Sequence, residues 1–510
     1  MLSSKKQKSN SKTDARKNRA AEIANTFEGL ITAFILAFLF RAFVMEAFRI
    51  PTGSMAGTLK GAHFCLRCPQ CGYKYDYGLG NYGLPQDSIP RGPLKLVNSR
   101  CPSCGYYQAT GGTMPIAPGD KILVLKCIYQ FFEPKQWDVV VFKDPLDPTI
   151  NYIKRLVGRP EEKVEIIDGD IYINGSISRK PPKVQNELWM TVYDNDYQPV
   201  RPTEGTFNGH FWQQPFRNIP DSRWEINPDN PTVFDLDSPA EQINTMIYDT
   251  EIGNDFRATY AYDDIKSYKY MPFCSDLMVR FYTNRLDSEG LVGIEMSKYQ
   301  INYKAWVDFG GDMTIEAVKG NESVELAHKS IEPPAMNKPA LVKFTNVDHQ
   351  LIFQFGGEKL TYDLGGGPDD TGQRKTNIQP QVRIFGGGKV TLSHVAIFRD
   401  IHYTTSQLGN SGKSARAMEG NPFALGKDEF FVLGDNTPNS LDSRWWSRPG
   451  VGNNGREYTE GIVPRDYLVG KALFVYWPSG FKPFAKFPIS IIPNVGQLRF
   501  IYGGSSKHYN

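Results

Sequence analysis

Residues 137–160 read WDVVVFKDPLDPTINYIKRLVGRP. Two runs within it, 139–142 and 152–157, carry the β-branched and aromatic residues that favour strands. The second run holds a lysine, Lys154, among Tyr152, Ile153, Leu156 and Val157. Strand alternation sends Lys154 and Arg155 to opposite faces. An apolar setting disfavours the ammonium form, so a lysine buried there can act as a base. Taken by itself, Lys154 reads more simply as an exposed strand lysine. What changes that reading is IPTGSMAGTL at 50–59, which places Ser54 between Gly53 and Met55. A serine hydroxyl attacks a carbonyl only when a base removes its proton. None of the seven histidines (His63, His210, His328, His349, His394, His402, His508) stands in a triad-like context, which leaves the lysine.

The 510 residues are too many for one ordinary domain and suggest three or four. The chain is 40% hydrophobic and 13% aromatic, with 47 Gly and 35 Pro, a balance that predicts short strands and turns rather than helix bundles. A net charge of +3 is no nucleic-acid footprint. Composition also excludes a coiled coil, a polytopic membrane protein and a disordered chain. Lys5, Lys6, Lys8, Lys12, Arg16, Lys17 and Arg19 precede an apolar stretch at 27–48 with its heart at GLITAFILAFLF, 29–40. This stretch reaches spanning length only if Arg41 and Glu46 are tolerated near its end. No small-x-small cleavage site follows, so it reads as a retained anchor rather than a cleaved signal peptide. The basic run keeps the N-terminus cytoplasmic and exports the rest.

A third segment, FFVLGDNTPNSLDSRWW at 430–446, completes a set. Behind an N-terminal anchor, the order of IPTGSMAGTL, YIKRLVGRP and this segment resembles a type I signal peptidase, the membrane-bound Ser/Lys endopeptidase. PGDKILVLK (118–126), EEKVEIIDGDIYING (161–175) and IVPRDYLVGKALFVYWP (462–478) agree with it. The resemblance covers roughly 200 residues, under half the chain. It implies Ser54 as nucleophile, Lys154 as general base, and the Ser54 N–H with the Thr52 hydroxyl as the oxyanion site. It also implies that Ser440 orients the lysine amine and that Asp442 and Arg444 form an ion pair bracing the loop. The implied substrate is a precursor's signal peptide, bound by β-addition in an apolar cleft lined by strands such as 139–142. One position departs from the family: Gly57 stands where proline is usual, which removes a fixed φ near the nucleophile.

Between the first two motifs lie HFCLRCPQCGYKY (63–75) and SRCPSCGYY (99–107). Cys68, Cys71, Cys101 and Cys104 form two CPxCG knuckles, a pattern for one structural Zn²⁺. Two disulfides are the rival reading on an exported face. His63 and Cys65 are alternative ligands, while Cys127 and Cys274 read as buried hydrophobes. The GLGNYGLPQ stretch between the knuckles reads as a loop.

From 176 to about 428 the peptidase pattern is interrupted. Alternating runs at 277–284, 340–347, 349–357 and 389–400 predict an antiparallel β-sandwich resembling a concanavalin or laminin-G jelly roll. Such folds often bind carbohydrate or protein, which is an analogy of fold only. Trp212, Trp224, Trp306, Tyr260 and Tyr262 read as packing residues rather than a sugar platform, and 407–426 as a linker.

The expected organisation is a basic N-terminus (1–26), an anchor (27–48), a catalytic domain in three parts (49–62, 113–178, 426–510), a zinc-ribbon insertion (63–112) and an inserted sandwich with linkers (179–425). The fold class is mainly β, and no cofactor is expected for catalysis beyond a structural zinc. The expected location is the inner (plasma) membrane, single-pass, with the catalytic part on the outer face. The expected partners are signal peptides, the lipid membrane and a carbohydrate or protein ligand of the sandwich. Two other readings compete: a degenerate peptidase kept as a binding scaffold, and a Ser/Lys self-cleaving regulator. Retention of Ser54, Lys154 and Ser440 speaks against the first, and the anchor against the second.

Overall fold

In a computed structural model, residues 22–79, 92–227, 229–263, 271–370, 378–405, 414–452, 455, 457–478 and 494–504 are described. The basic run at 1–21 and most of the GLGNYGLPQ loop lie outside them. A helix at Glu22–Val44 is long and apolar enough to cross a membrane, and none of its most apolar window is buried. At about 1.5 Å per residue its 23 residues exceed the ~30 Å hydrocarbon core. The expected span of 27–48 is corrected at its far end. Met45–Arg49 is already a strand, paired with Lys121–Leu125. Glu46 therefore needs no toleration in lipid, because its carboxylate meets Lys126 Nζ at 3.1 Å.

The strand order of the catalytic sheet is Met45–Arg49, Lys121–Leu125, Leu468–Trp477, Val139–Lys143, Asn151–Gly158, Glu429–Leu433 and Val463–Pro464. Segments far apart in sequence are thus neighbours: two of the three motifs supply strands of this sheet, and the third, 50–59, follows directly on its edge strand Met45–Arg49. Val139, Val141, Ile122, Val124, Ala472 and Val475 fill one face together with Met55 and Leu59. Val140, Phe142, Leu156, Phe430, Val432 and Trp446 fill the other. Val139–Lys143 is paired on both sides, so the expectation that it lines a cleft open to β-addition is corrected. The neighbouring strand keeps an open stretch: Glu429–Leu433 pairs only with residues 155–158 of Asn151–Gly158.

The large interruption folds as two antiparallel sheets packed face to face, so the chain is mainly β, as its composition suggests. The four predicted runs appear as Leu277–Arg285, Ala340–Val347, Gln350–Phe355 and Lys389–Arg399. Alternation buries Val279, Phe281, Val342, Phe344, Val390 and Leu392 against Val292, Ile294, Ala305, Val307 and Ile384. Lys180, three residues past the strand Ser176–Ile177 where the chain enters the insertion, has its Nζ held by Asp348 and, at 2.9 Å, Asp400.

The linker reading of 407–426 is corrected where the chain is described. Ala415 and Ala417 are buried, the Ile166 N–H donates to Ala417 O at 2.6 Å, and Phe423–Ala424 pairs with Lys163–Ile167. Residues 407–413 lie outside the described set. Cys274 is buried, but Cys127 is only partly so.

Candidate active site

Ser54 sits on a tight turn between the strand ending at Arg49 and the first cysteine hairpin. The Ala56 N–H donates to Gly53 O at 2.9 Å and the Leu59 N–H to Met55 O at 2.8 Å, closing the turn. Gly57 has φ +94°, a conformation proline cannot take. The departure at Gly57 is therefore a differently built turn rather than a loosened version of the usual one.

Lys154 lies on the strand Asn151–Gly158, and its Nζ is 2.7 Å from Ser54 Oγ. Its second hydrogen bond runs to Ile153 O at 3.1 Å. The side chain is almost fully buried, and burial lowers its pKa from 10.5 to about 8 against the raising influence of Asp442 and Asp435. A neutral amine is thus accessible near physiological pH. Thr52 Oγ1 is 3.5 Å from Ser54 Oγ, beside the nucleophile but only in loose contact with it.

Arg155 points the other way and is fully buried. Its Nε and Nη2 grip Asp435 Oδ1 and Oδ2 at 2.8 and 2.7 Å. Asp435 also accepts a hydrogen bond from Thr58 Oγ1 at 2.5 Å. One carboxylate therefore joins the lysine strand to the serine turn, and the Asn436 N–H adds a bond to Ser54 O at 3.0 Å. The Arg155–Asp435 clamp was missed in the sequence, where Asp435 stands in the segment 430–446 with no role assigned to it.

Asp442 and Arg444 are buried partners: Arg444 Nε and Nη2 donate to the Asp442 oxygens at 2.8 and 2.7 Å. Asp442 also accepts the Gly434 N–H at 2.9 Å, and Arg444 donates to Thr404 O at 2.6 Å and Thr437 O at 2.9 Å. Ser440 is fully buried beside Gly434, where a Cβ would fall 2.1 Å from Ser440 Oγ and 2.5 Å from Ser54 O. Ser54, Lys154, Thr52, Ser440, Asp442 and Arg444 are thus brought to one place.

The four knuckle cysteines come together separately. Cys68 Sγ is 3.7 Å from Cys104 Sγ, and Cys71 Sγ is 3.6 Å from Cys101 Sγ. A tetrahedron with metal–sulfur bonds of about 2.3 Å has sulfur edges of roughly 3.8 Å, whereas a disulfide is about 2.0 Å. No disulfide joins any of the seven cysteines, and the separations of these four fit one shared metal better than two disulfides. The knuckles share one geometry: Gly72 and Gly105 have φ +77° and +76°, and their N–H groups donate to Cys68 O and Cys101 O.

The fold and site together define a β protein with an N-terminal helix long and apolar enough to cross a membrane and a half-buried serine beside a buried lysine. The family model described as "Signal peptidase, peptidase S26" matches residues 104–223 and 388–477. Lys154, Ser440, Asp442 and Arg444 lie inside that match, and Ser54 precedes it. Signal peptidase I of Rickettsia canadensis is 31% identical over 162 residues, covering 32% of this chain and 47% of the relative. Signal peptidase I of Rickettsia akari is 32% identical over 144 residues, covering 28% and 40%. Over these stretches the chain resembles the peptidase S26 family and its type I signal peptidases. The chain spans about half the length of the curated relatives it matches.

Among solved structures, the carbohydrate-binding module CBM66 from Bacillus subtilis aligns with 36% of this chain and 95% of its own length. That alignment has 8% identity and a TM-score of 0.24. Sheep galectin-11 aligns with 25% of this chain and 94% of its own, at 9% identity and a TM-score of 0.19. Likeness of that degree says nothing about a ligand here.

Proposed function

We propose that the protein is a membrane-anchored serine endopeptidase that removes signal peptides from exported precursors. The observation that carries this is the 2.7 Å contact between Ser54 Oγ and a buried lysine amine, in a chain that resembles the S26 family. Neutral Lys154 takes the Ser54 proton as the hydroxyl attacks the scissile carbonyl, then returns it to the departing amine. The acyl group left on Ser54 is released by water. The Ser54 N–H, helped by the Thr52 hydroxyl, faces the developing oxyanion, and Ser440 orients the amine. The precursor adds as a strand along the open edge of residues 151–154, which brings the scissile bond beside Lys154. Placed behind a basic N-terminus, the helix at Glu22–Val44 holds the catalytic part on the outer face of the plasma membrane.

The test is cleavage of a synthetic signal peptide by detergent-solubilised full-length protein. Wild type is expected to cut after a small residue and Ser54→Ala to be inert; an inert, folded wild type overturns the reading. Because the free amine is the active form, kcat/KM is expected to rise about tenfold per pH unit up to pH ~8 and then level off. A pH-independent rate between 6 and 8 refutes Lys154 as the base.

The knuckle cysteines are proposed to hold one structural zinc, which fastens the two hairpins, Lys74–Gly78 with its partner His63–Arg67 and Leu94–Arg100 with its partner Tyr107–Met114. Purified wild type is expected to carry one zinc per chain by elemental analysis. The double variant Cys68→Ser/Cys101→Ser should carry none; equal metal content in both disproves the assignment.

A further inference from the structure

The search outside the Ser/Lys pair leads to one short segment of the inserted region, Tyr260 to Asp263. It does not belong to the sandwich core. It lies over the nucleophile turn. Tyr260, Tyr262 and the fully buried Ala56 form a small apolar cluster of their own. The Tyr262 ring occupies the space a side chain would need at Gly53, where a Cβ would come within 2.3 Å of its Cε1. Tyr262 OH donates to Ala62 O at 3.3 Å, and the Gly78 N–H donates to Tyr262 O at 2.9 Å. The segment thus touches both sides of the serine turn.

It also holds the opposite loop. Tyr260 OH donates to the Asp435 carbonyl at 2.9 Å. Asp263 Oδ1 accepts from Asn436 Nδ2 at 2.9 Å and from Asn439 Nδ2 at 3.1 Å. Asn436 is the residue whose N–H reaches Ser54 O, and Asp435 is the one that grips Arg155 next to Lys154. Both elements carrying the dyad are therefore two hydrogen bonds away from this segment, through Asp435 to Arg155 and through Asn436 to Ser54 O.

Gly57 gives this arrangement a reason. At φ +94° the position cannot hold a proline, so the turn lacks that fixed φ and relies on its two backbone hydrogen bonds and on what packs against it. The external restraint is Tyr260 and Tyr262 packed on Ala56 and Gly53.

We infer that Tyr260 and Asp263 are positioning residues for the Ser54/Lys154 chemistry, so that the insertion completes the active site rather than merely decorating it. This rests on the peptidase reading above. Misplacement of reacting groups by about 1 Å costs on the order of 10²-fold in rate, and these bonds fix the loop to that tolerance.

The experiment compares full-length Asp263→Ala, Asp263→Asn and Tyr260→Phe with wild type, using Asp237→Asn, an exposed site on the sandwich, as control. Three quantities are read: kcat and KM on a synthetic signal peptide, acylation of Ser54 by an electrophilic probe followed by mass spectrometry, and thermal unfolding. Asp263→Ala is expected to lower kcat and the acylation rate by at least tenfold, with KM within threefold and unfolding unchanged. Asp263→Asn keeps an oxygen acceptor and should recover most of the rate. Tyr260→Phe, which removes one hydroxyl, should lose about threefold to tenfold and decides the matter if Asp263→Ala does not fold. Wild-type kcat and acylation in both Asp263→Ala and Tyr260→Phe overturn the inference while leaving the peptidase intact. A wild type that neither cleaves nor acylates overturns the peptidase reading, and this one with it.

Discussion

A Lys154→Met variant is expected to be inert and yet to unfold at a higher temperature than wild type at pH 7. The loss of activity should exceed about 10³-fold, the scale on which removing one member of a nucleophile–base unit acts. The gain in stability follows from burial. In the folded state the amine titrates near 8, against 10.5 in water, a difference of about 3 kcal/mol. Below pH 8 the lysine is charged in both states, and the folded state bears the cost of an ammonium taken out of water. Between pH 8 and 10.5 the unfolded chain binds the extra proton, so wild-type stability rises with pH over that window. Methionine fills a similar volume without a charge. It gives up the hydrogen bonds to Ser54 Oγ and Ile153 O, roughly 1 kcal/mol each, and the net gain at pH 7 is about 1 kcal/mol. The advantage should shrink as the pH approaches 10.5. Thermal unfolding at several pH values checks it; a variant less stable than wild type at pH 7 means that burial does not strain Lys154.

That trade of stability for reactivity was partly legible in the residues themselves. Lys154 among apolar strand neighbours, and Ser54 between Gly53 and Met55, carry the chemistry locally, and strand alternation was enough to turn Arg155 away from Lys154. The strands of the insertion were legible for the same reason, since period-2 runs such as 340–347 encode their own inward face. Helix ends were not. Met45, Ala47 and Phe48 continue the apolar character of the helix before them and become strand only because Lys121–Leu125, more than 70 residues on, offers an edge. The destination of Arg155 was equally hidden, because Asp435 lies 280 positions away. Asp263 is the extreme case. It stands in no motif, and only the folding of the insertion back onto the serine turn gives it partners. Contacts that depend on long-range closure leave no local pattern to read.

Asp435→Asn is expected to cost more stability than any other single change at the site. Arg155 is fully buried, and Asp435 is the carboxylate its forked donors grip. Neutralising that carboxylate leaves a guanidinium uncompensated in the interior, at about 3–5 kcal/mol. For a unit of 150–250 residues this lowers the melting temperature of the catalytic part by about 10 °C. The double variant Arg155→Met/Asp435→Leu separates charge from position. With both charges gone, most of the lost stability should return, as it does where buried ion pairs are replaced by apolar residues of similar size. Activity should not return, because Thr58 Oγ1 loses its acceptor and the strand bearing Lys154 loses its tie to the serine turn. A double variant as unstable as Asp435→Asn would mean that the carboxylate acts through Thr58 rather than through Arg155. An active double variant would mean that the distance between Ser54 and Lys154 is set elsewhere, leaving the bonds from Tyr260 and Asp263 as the restraint on the loop.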